Sequence, residues 1–167
     1  HPELADTSLI YVSTPDFKGA FQDGWAATVK RILEVLVEAP APGPGRDPRK
    51  VAVLPGCHLT VADIEELRET LEDFGLNPVF VPDLSGSLDG HVPEDFSPTT
   101  LGGTTRADIR ALGTAGLVLA LGEQMRPAAE WLGAQIAARV RVFDRLLGLE
   151  VNDAFMACLT DYSGQPV

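Results

Sequence analysis

The sequence predicts a doubly wound α/β domain, a mainly parallel five-stranded sheet with helices on both faces. Three observations carry that expectation. Short apolar runs at 9–12, 51–54, 78–81, 117–121 and 140–143 alternate with stretches of helical periodicity, and such alternation favours parallel strands joined by helical crossovers. The runs show little exchange of polar with apolar residues, as expected for strands covered on both faces. The helical stretches also carry start and stop signals at their ends.

Along the chain, 9–12 is the first expected strand, and a helix follows over 23–37 with Trp25, Val29, Ile32, Leu33 and Leu36 on one stripe. The Pro/Gly-rich stretch 39–49 is expected to be a flexible, solvated connection. After strand 51–54, the clearest helix spans 61–74, with Ile64, Leu67, Leu71 and Phe74 on one face and Glu65, Glu66, Arg68, Glu69 and Glu72 on the other. Thr60, with Asp63 three residues later, forms a variant of the capping box, and Gly75 occupies the left-handed position after the last turn. Strand 78–81 leads into a long loop, 83–104, without internal periodicity. A short helix then starts at Thr105, with Asp108 in the box position, and ends near Gly113. Strand 117–121 is followed by a helix with Pro127 in its first turn and Trp131, Leu132 and Ile136 on its apolar face. The last strand, 140–143, precedes a helix from about Val151 through Phe155, Leu159 and Tyr162, stopped by Ser163-Gly164-Gln165-Pro166. This order is that of Rossmann-like and flavodoxin-like three-layer folds.

With 167 residues, 45% of them hydrophobic, the chain has enough apolar material for one core, so 1–167 is expected to be a single domain. It begins with His1 and enters an apolar run almost at once, so a fragment of a longer polypeptide is expected. The net charge of -11 argues against nucleic acid, whose binding draws on Lys and Arg to release counterions. Anionic membrane surfaces are disfavoured for the same reason, and no apolar run approaches the roughly eighteen residues of a spanning helix. Cys57 and Cys158 lie far apart in sequence and form neither a metal-ligand spacing nor a disulfide framework, which fits a reducing cytoplasm.

In open α/β sheets ligands bind beyond the carboxyl ends of the strands, which selects 13–19, 55–58, 83–104 and 122–125. None carries a dinucleotide or P-loop spacing. Gly102, Gly103 and Thr104 precede a helix and could offer backbone N–H groups to an anion, but they lack the phosphate-loop spacing and follow a loop instead of a strand, so a turn with a helix cap is expected. Cys57 and His58 look like a ligand pair, yet adjacent residues project differently and no further ligand is near, so a plain strand-to-helix turn is expected. Asp89 and His91 are candidate polar contacts to a ligand or subunit, although a hydrogen-bonded loop histidine is the plainer reading of His91. Asp16, Asp83, Asp89, Asp95 and Glu123 could gather at the same rim for acid/base work or a divalent cation, but caps and solvated charges account for them as well. Cys158 and the two tryptophans, Trp25 and Trp131, are expected in the core. No catalytic triad, activated cysteine or metal site is indicated.

The loop Ser85-Gly86-Ser87-Leu88-Asp89-Gly90-His91, followed by Phe96-Ser97-Pro98-Thr99-Thr100-Leu101-Gly102-Gly103-Thr104-Thr105, resembles the nitrogenase component 1 family. Thr14-Pro15-Asp16-Phe17, Leu54-Pro55-Gly56, Leu121-Gly122-Glu123 and Ser163-Gly164-Gln165-Pro166-Val167 extend the likeness along the chain. The Gly-Gly-Thr-Thr and Ser-Gly-Gln-Pro elements are common to the superfamily. The Ser-Gly-Ser-Leu-Asp-Gly-His loop points to its scaffold branch, the β-like subunit on which the iron–molybdenum cofactor is matured. Cys57 and Val61 depart from the family pattern, where serine and proline are more usual.

The resemblance implies the middle of three α/β domains in a nitrogen-fixation scaffold, giving structure and docking surface with no catalysis of its own. It implies a NifE-like partner subunit in a heterotetramer, docking of the reductase NifH, and NifB as precursor donor. Iron–sulfur clusters and the cofactor precursor would belong to the full complex, held by residues outside this chain, and no cysteine here inherits a ligand role. Two other readings stand beside it: a β-subunit domain of the catalytic oxidoreductase, and a free-standing α/β domain that binds a small molecule through 83–104.

Overall fold

The computed structural model describes residues 7–15, 17, 19–38, 45–88 and 103–165. Four parallel strands form one sheet: β1 (Asp47–Pro55), β2 (Asn77–Phe80), β3 (Ala115–Leu121) and β4 (Arg139–Phe143). Their order is β2-β1-β3-β4. Around them lie α1 (Phe21–Leu36), α2 (Val61–Asp73), the short turns α3 (Ser85–Leu88) and α4 (Arg106–Arg110), α5 (Arg126–Ile136) and α6 (Leu149–Ser163). Turns of 3-10 helix at Ala111–Thr114 and Glu123–Met125 lead into β3 and α5. Among the described residues no helix is long and apolar enough to cross a membrane.

From β1 the chain steps to one side for β2, then crosses to the other side for β3 and β4. Parallel crossovers keep one hand, so opposite steps place α2 and α5 on opposite faces. Strand parity follows. Ala52 and Leu54 of β1 and Val118 and Ala120 of β3 join Val29, Leu33, Leu132 and Ile136 of α1 and α5. The alternate residues Val51, Val53, Leu117, Leu119 and Leu121 join Ile64, Leu71, Phe155 and Leu159 of α2 and α6. Each central strand is buried on both faces, which is why no alternation was visible in its sequence. The edge strand β4 differs: Arg139 and Arg141 point outward, alternating with half-buried Val140 and Val142, and such charges discourage pairing with another chain.

The helix ends follow their sequence signals. Thr60 Oγ1 accepts the Asp63 N–H at 3.3 Å, while the Thr60 N–H donates to Asp63 Oδ2 at 2.7 Å. Thr105 and Asp108 repeat the arrangement at the start of α4. Gly75 has φ 69°, and around it the N–H of Leu76 donates to the Leu71 carbonyl at 3.0 Å and that of Gly75 to Glu72 at 2.8 Å. This is a full Schellman ending, with Leu71 and Leu76 both buried beneath it. The terminator of α5 was not foreseen: Ala137 takes the left-handed conformation at φ 50°.

Three expectations need correction. Residues 9–12 form no strand of the sheet, leaving four strands among the described residues where five were expected. Ile10 packs on the α1/α5 core, whereas Leu9 and Tyr11 face outward, 90% and 77% exposed. An apolar run marks the capacity to form a strand, and pairing also needs a neighbouring edge. Second, β1 begins at Asp47, inside the stretch 39–49 expected to be a connection. Pro48 has no N–H for the ladder, and the register shift between Asp47 and Val51 accommodates it. Third, Cys158 is half-buried and stands outside the core clusters.

Candidate functional site

The strand order reverses between β1 and β3, and their carboxyl ends are where such folds place ligands. Hydrogen bonds continue past the strands here. The Gly56 N–H donates to the Leu121 carbonyl at 2.7 Å and the Gly122 N–H to Phe143 at 2.7 Å. From α1, Trp25 Nε1–H donates to the Pro55 carbonyl at 3.0 Å, satisfying the last carbonyl of β1. The Trp25 ring stands 6.3 Å from that of exposed Phe21. Together with Cys57, Ile64, Pro82 and Leu84 these two rings line an apolar pocket of about 210 Å³. A wider groove of about 880 Å³ adjoins it along Ser13, Thr14, Pro15, Gly19, Asp23 and Trp25. Trp25, expected simply as core, is therefore half core, half wall of the rim.

Cys57 and His58 diverge as their adjacency requires. Cys57 lines the apolar pocket, and exposed His58 faces a separate groove between α2 and α6. Among the described residues no group of three or more His, Cys, Asp or Glu is placed to hold a metal ion.

The long loop is anchored at both ends beside β2. At its start, Asp83 Oδ2 accepts from the Arg68 guanidinium at 2.5 Å, and Oδ1 accepts from the Ser85 N–H at 3.1 Å and the Ser85 hydroxyl at 2.7 Å. The same guanidinium lies 4.6 Å from the centre of the Phe80 ring. At the loop's end, the Thr104 hydroxyl donates to the Phe80 carbonyl. Gly103 adopts φ 88°, and a Cβ there would stand 3.3 Å from the Asp83 carbonyl oxygen. Gly103 and Thr104 thus close the loop on itself and hand over to the Thr105 cap. Asp89, His91 and Gly102, with Asp16 and Asp95, lie outside the described residues.

Of the rim carboxylates that are described, each has its own arginine. Asp83 is paired with Arg68, and Glu123 with Arg126, whose hydrogen bond and charge hold the Glu123 carboxyl below its usual range. Neither is an unpaired acid or base aimed at a substrate. Burial pushes the Cys158 thiol up, opposed by Arg141 beside it. The Arg68–Asp83 and Trp25–Pro55 contacts were not readable in the sequence, because helical periodicity says which residues face outward and not which meet across 15 or 30 positions.

A parallel sheet of order β2-β1-β3-β4 with its switch point between β1 and β3 defines a doubly wound α/β domain. The whole chain, residues 1–167, matches the family described as nitrogenase component 1 type oxidoreductase, and it belongs to that family. It is 54% identical over 167 residues to the nitrogenase iron-molybdenum cofactor biosynthesis protein NifN of Bradyrhizobium diazoefficiens, covering 100% of this chain and 36% of that protein. The NifN of a Nostoc species is 41% identical, with 100% and 37% covered. A solved structure titled "Nitrogenase Cp1 at pH 6.5" superposes with TM-score 0.82 at 27% identity, covering 92% of this chain and 33% of that one. The chain therefore spans about a third of the length of these relatives.

Proposed function

We propose that the chain is one α/β domain of a NifN-type subunit, part of the scaffold on which the iron–molybdenum cofactor precursor is matured. The observation that carries this reading is the 54% identity to a cofactor biosynthesis protein over the whole chain, against 27% to the nitrogenase structure. The domain supplies structure and docking surface. A NifE-like partner subunit, the reductase NifH and the precursor donor NifB are the proteins it would serve in the complete assembly, in the cytoplasm.

Iron–sulfur clusters and the cofactor precursor would belong to the complete assembly. The described residues of this chain do not fit either as a ligand set: an iron–sulfur cluster is usually held by four thiolates or their equivalents, and Cys57 and Cys158 lie on different elements. The chain's own contribution is the rim, where Asp83, Gly103 and Thr104 close the base of the loop. Asp89 and His91, with Gly102, Gly103 and Thr104, are proposed as its contact residues.

The test is maturation. Asp89→Ala with His91→Ala in the full-length subunit should leave its thermal stability unchanged while weakening pairing with its partner or slowing activation of cofactor-free nitrogenase. Normal pairing with normal activation, or a large loss of stability, would defeat the docking reading.

A further inference from the structure

One run ahead of α1 is built like a strand and has no partner. From Thr7 to Val12 burial alternates without a break: Thr7, Leu9 and Tyr11 are exposed, while Ser8, Ile10 and Val12 are half-buried. A period of two is that of a strand, and Ile10, Tyr11 and Val12 are of the residue types enriched in strands. Residues 7–15 nevertheless belong to no helix or strand. Among the described residues, none of their backbone groups enters a backbone hydrogen bond.

Both sides of the run are apolar. Ile10 packs on the α1/α5 core, and Leu9 and Tyr11 stand in water on the other side. Phe17 and Phe21 follow them, so most of the large hydrophobics exposed among the described residues lie between positions 9 and 21. No charged residue occurs from Thr7 to Pro15. The sheet's own edge strand is guarded by Arg139 and Arg141, as solvated edges are; this run has no such guard. Apolar on both sides and uncharged, it has the make-up of a strand inside a sheet. The open side says what the neighbour must be. A free peptide would satisfy the backbone and leave Leu9 and Tyr11 in water, whereas a sheet with its own apolar layer does both. The NifN relatives have room for one: all of this chain matches 36% and 37% of their length. A unit on the same polypeptide also meets the run at an effective concentration that a separate subunit must replace with affinity.

We propose that residues 7–12 pair as a strand with the sheet of a second folded unit of the full-length polypeptide, which buries Leu9 and Tyr11 under its own apolar layer. The proposal does not depend on the cofactor-scaffold reading. It is tested by hydrogen exchange, read by mass spectrometry, on the full-length polypeptide alone over a range of concentrations and again with its partner subunit added. The amides of 9–12 should exchange at least about a hundredfold slower than in an unstructured chain, at every concentration and without the partner. In full-length Leu9→Cys, the new thiol should be alkylated at least about tenfold slower in the native protein than in urea. The mass of the peptide that contains position 9 separates it from Cys57 and Cys158. If that variant folds poorly, exchange in the unaltered protein decides. Exchange of 9–12 at the unstructured rate would overturn the proposal, as would free alkylation at position 9 in a folded variant. Protection that appears only as concentration rises would assign the run to a second copy, and protection that needs the added subunit would assign it to the partner; either result also overturns it.

Discussion

Removing the Asp83 carboxylate should loosen the base of the long loop and cost the domain about 2 kcal/mol. The pair is not a solvent-exposed one: the Arg68 and Asp83 side chains are 31% and 17% exposed, with 2.5 Å between Arg68 Nη2 and Asp83 Oδ2. Exposed pairs contribute at most about 1 kcal/mol. The partial burial here and the stacking of Arg68 over Phe80 put the pairing at the upper end of that range. Asp83 also caps the turn at Ser85 through two hydrogen bonds, a role whose loss typically costs about 1 kcal/mol. Asp83→Asn keeps an acceptor for Ser85 but loses the charge, so it should cost about half as much as Asp83→Ala. In a double-mutant cycle with Arg68→Ala, chemical denaturation should give a coupling of about 1 kcal/mol, and Asp83→Ala alone should lower Tm by about 4–8 °C. A coupling below about 0.3 kcal/mol, within the error of additivity, would show that the pair does not hold the loop and would refute the reasoning.

Other expectations are simpler. Gly75→Ala should destabilise by about 1 kcal/mol in the same denaturation assay, because φ 69° disfavours a side chain. A Cβ there would also crowd Gln165 at 3.0 Å. Ala137→Gly should do the reverse and stabilise by about 0.5–1 kcal/mol, since Ala137 is held at φ 50° at the end of α5. Gly133→Ala should destabilise by about 1–3 kcal/mol, because its Cβ would fall 2.2 Å from Val140 Cγ2. Adding Val140→Ala should recover part of that loss, measured as a positive coupling between the two changes. Burial raises the Cys158 thiol above its ordinary value, so its contribution to stability is complete below the usual thiol range and is lost as pH rises through the raised value. Alkylation of Cys158 at mildly alkaline pH should accordingly be slower in the folded chain than in the unfolded one.

The layers of the fold were readable because their signals are local. Ile64, Leu67 and Leu71 repeat at helical spacing, Thr60 and Thr105 each carry an acid three residues on, and Gly75 marks a helix end that the structure closes as a Schellman motif. What failed were properties decided by neighbours. Whether 9–12 joins a sheet depends on an adjacent edge, and Leu9 and Tyr11 find none among the described residues. Pro48 enters β1 only because the register against β3 shifts around it. The left-handed Ala137 has no sequence signature, since glycine is the residue that announces that conformation. At the rim, Asp83 and Thr104 were visible as polar loop residues. Their partners, Arg68 and the Phe80 carbonyl, come from separate elements and required the fold.

The central claim, that the chain serves a cofactor scaffold and not the catalytic subunit, is tested most directly by exchange. Residues 1–167 would replace the matching third of the Bradyrhizobium diazoefficiens NifN, and separately the matching segment of a catalytic nitrogenase β subunit. Activation of cofactor-free nitrogenase by the first chimera, and substrate reduction by the second, are the readouts. The account predicts that the first chimera matures cofactor near the parent's rate while the second is inactive. A first chimera that folds and pairs normally but matures no cofactor, or a second that reduces substrate, would contradict it.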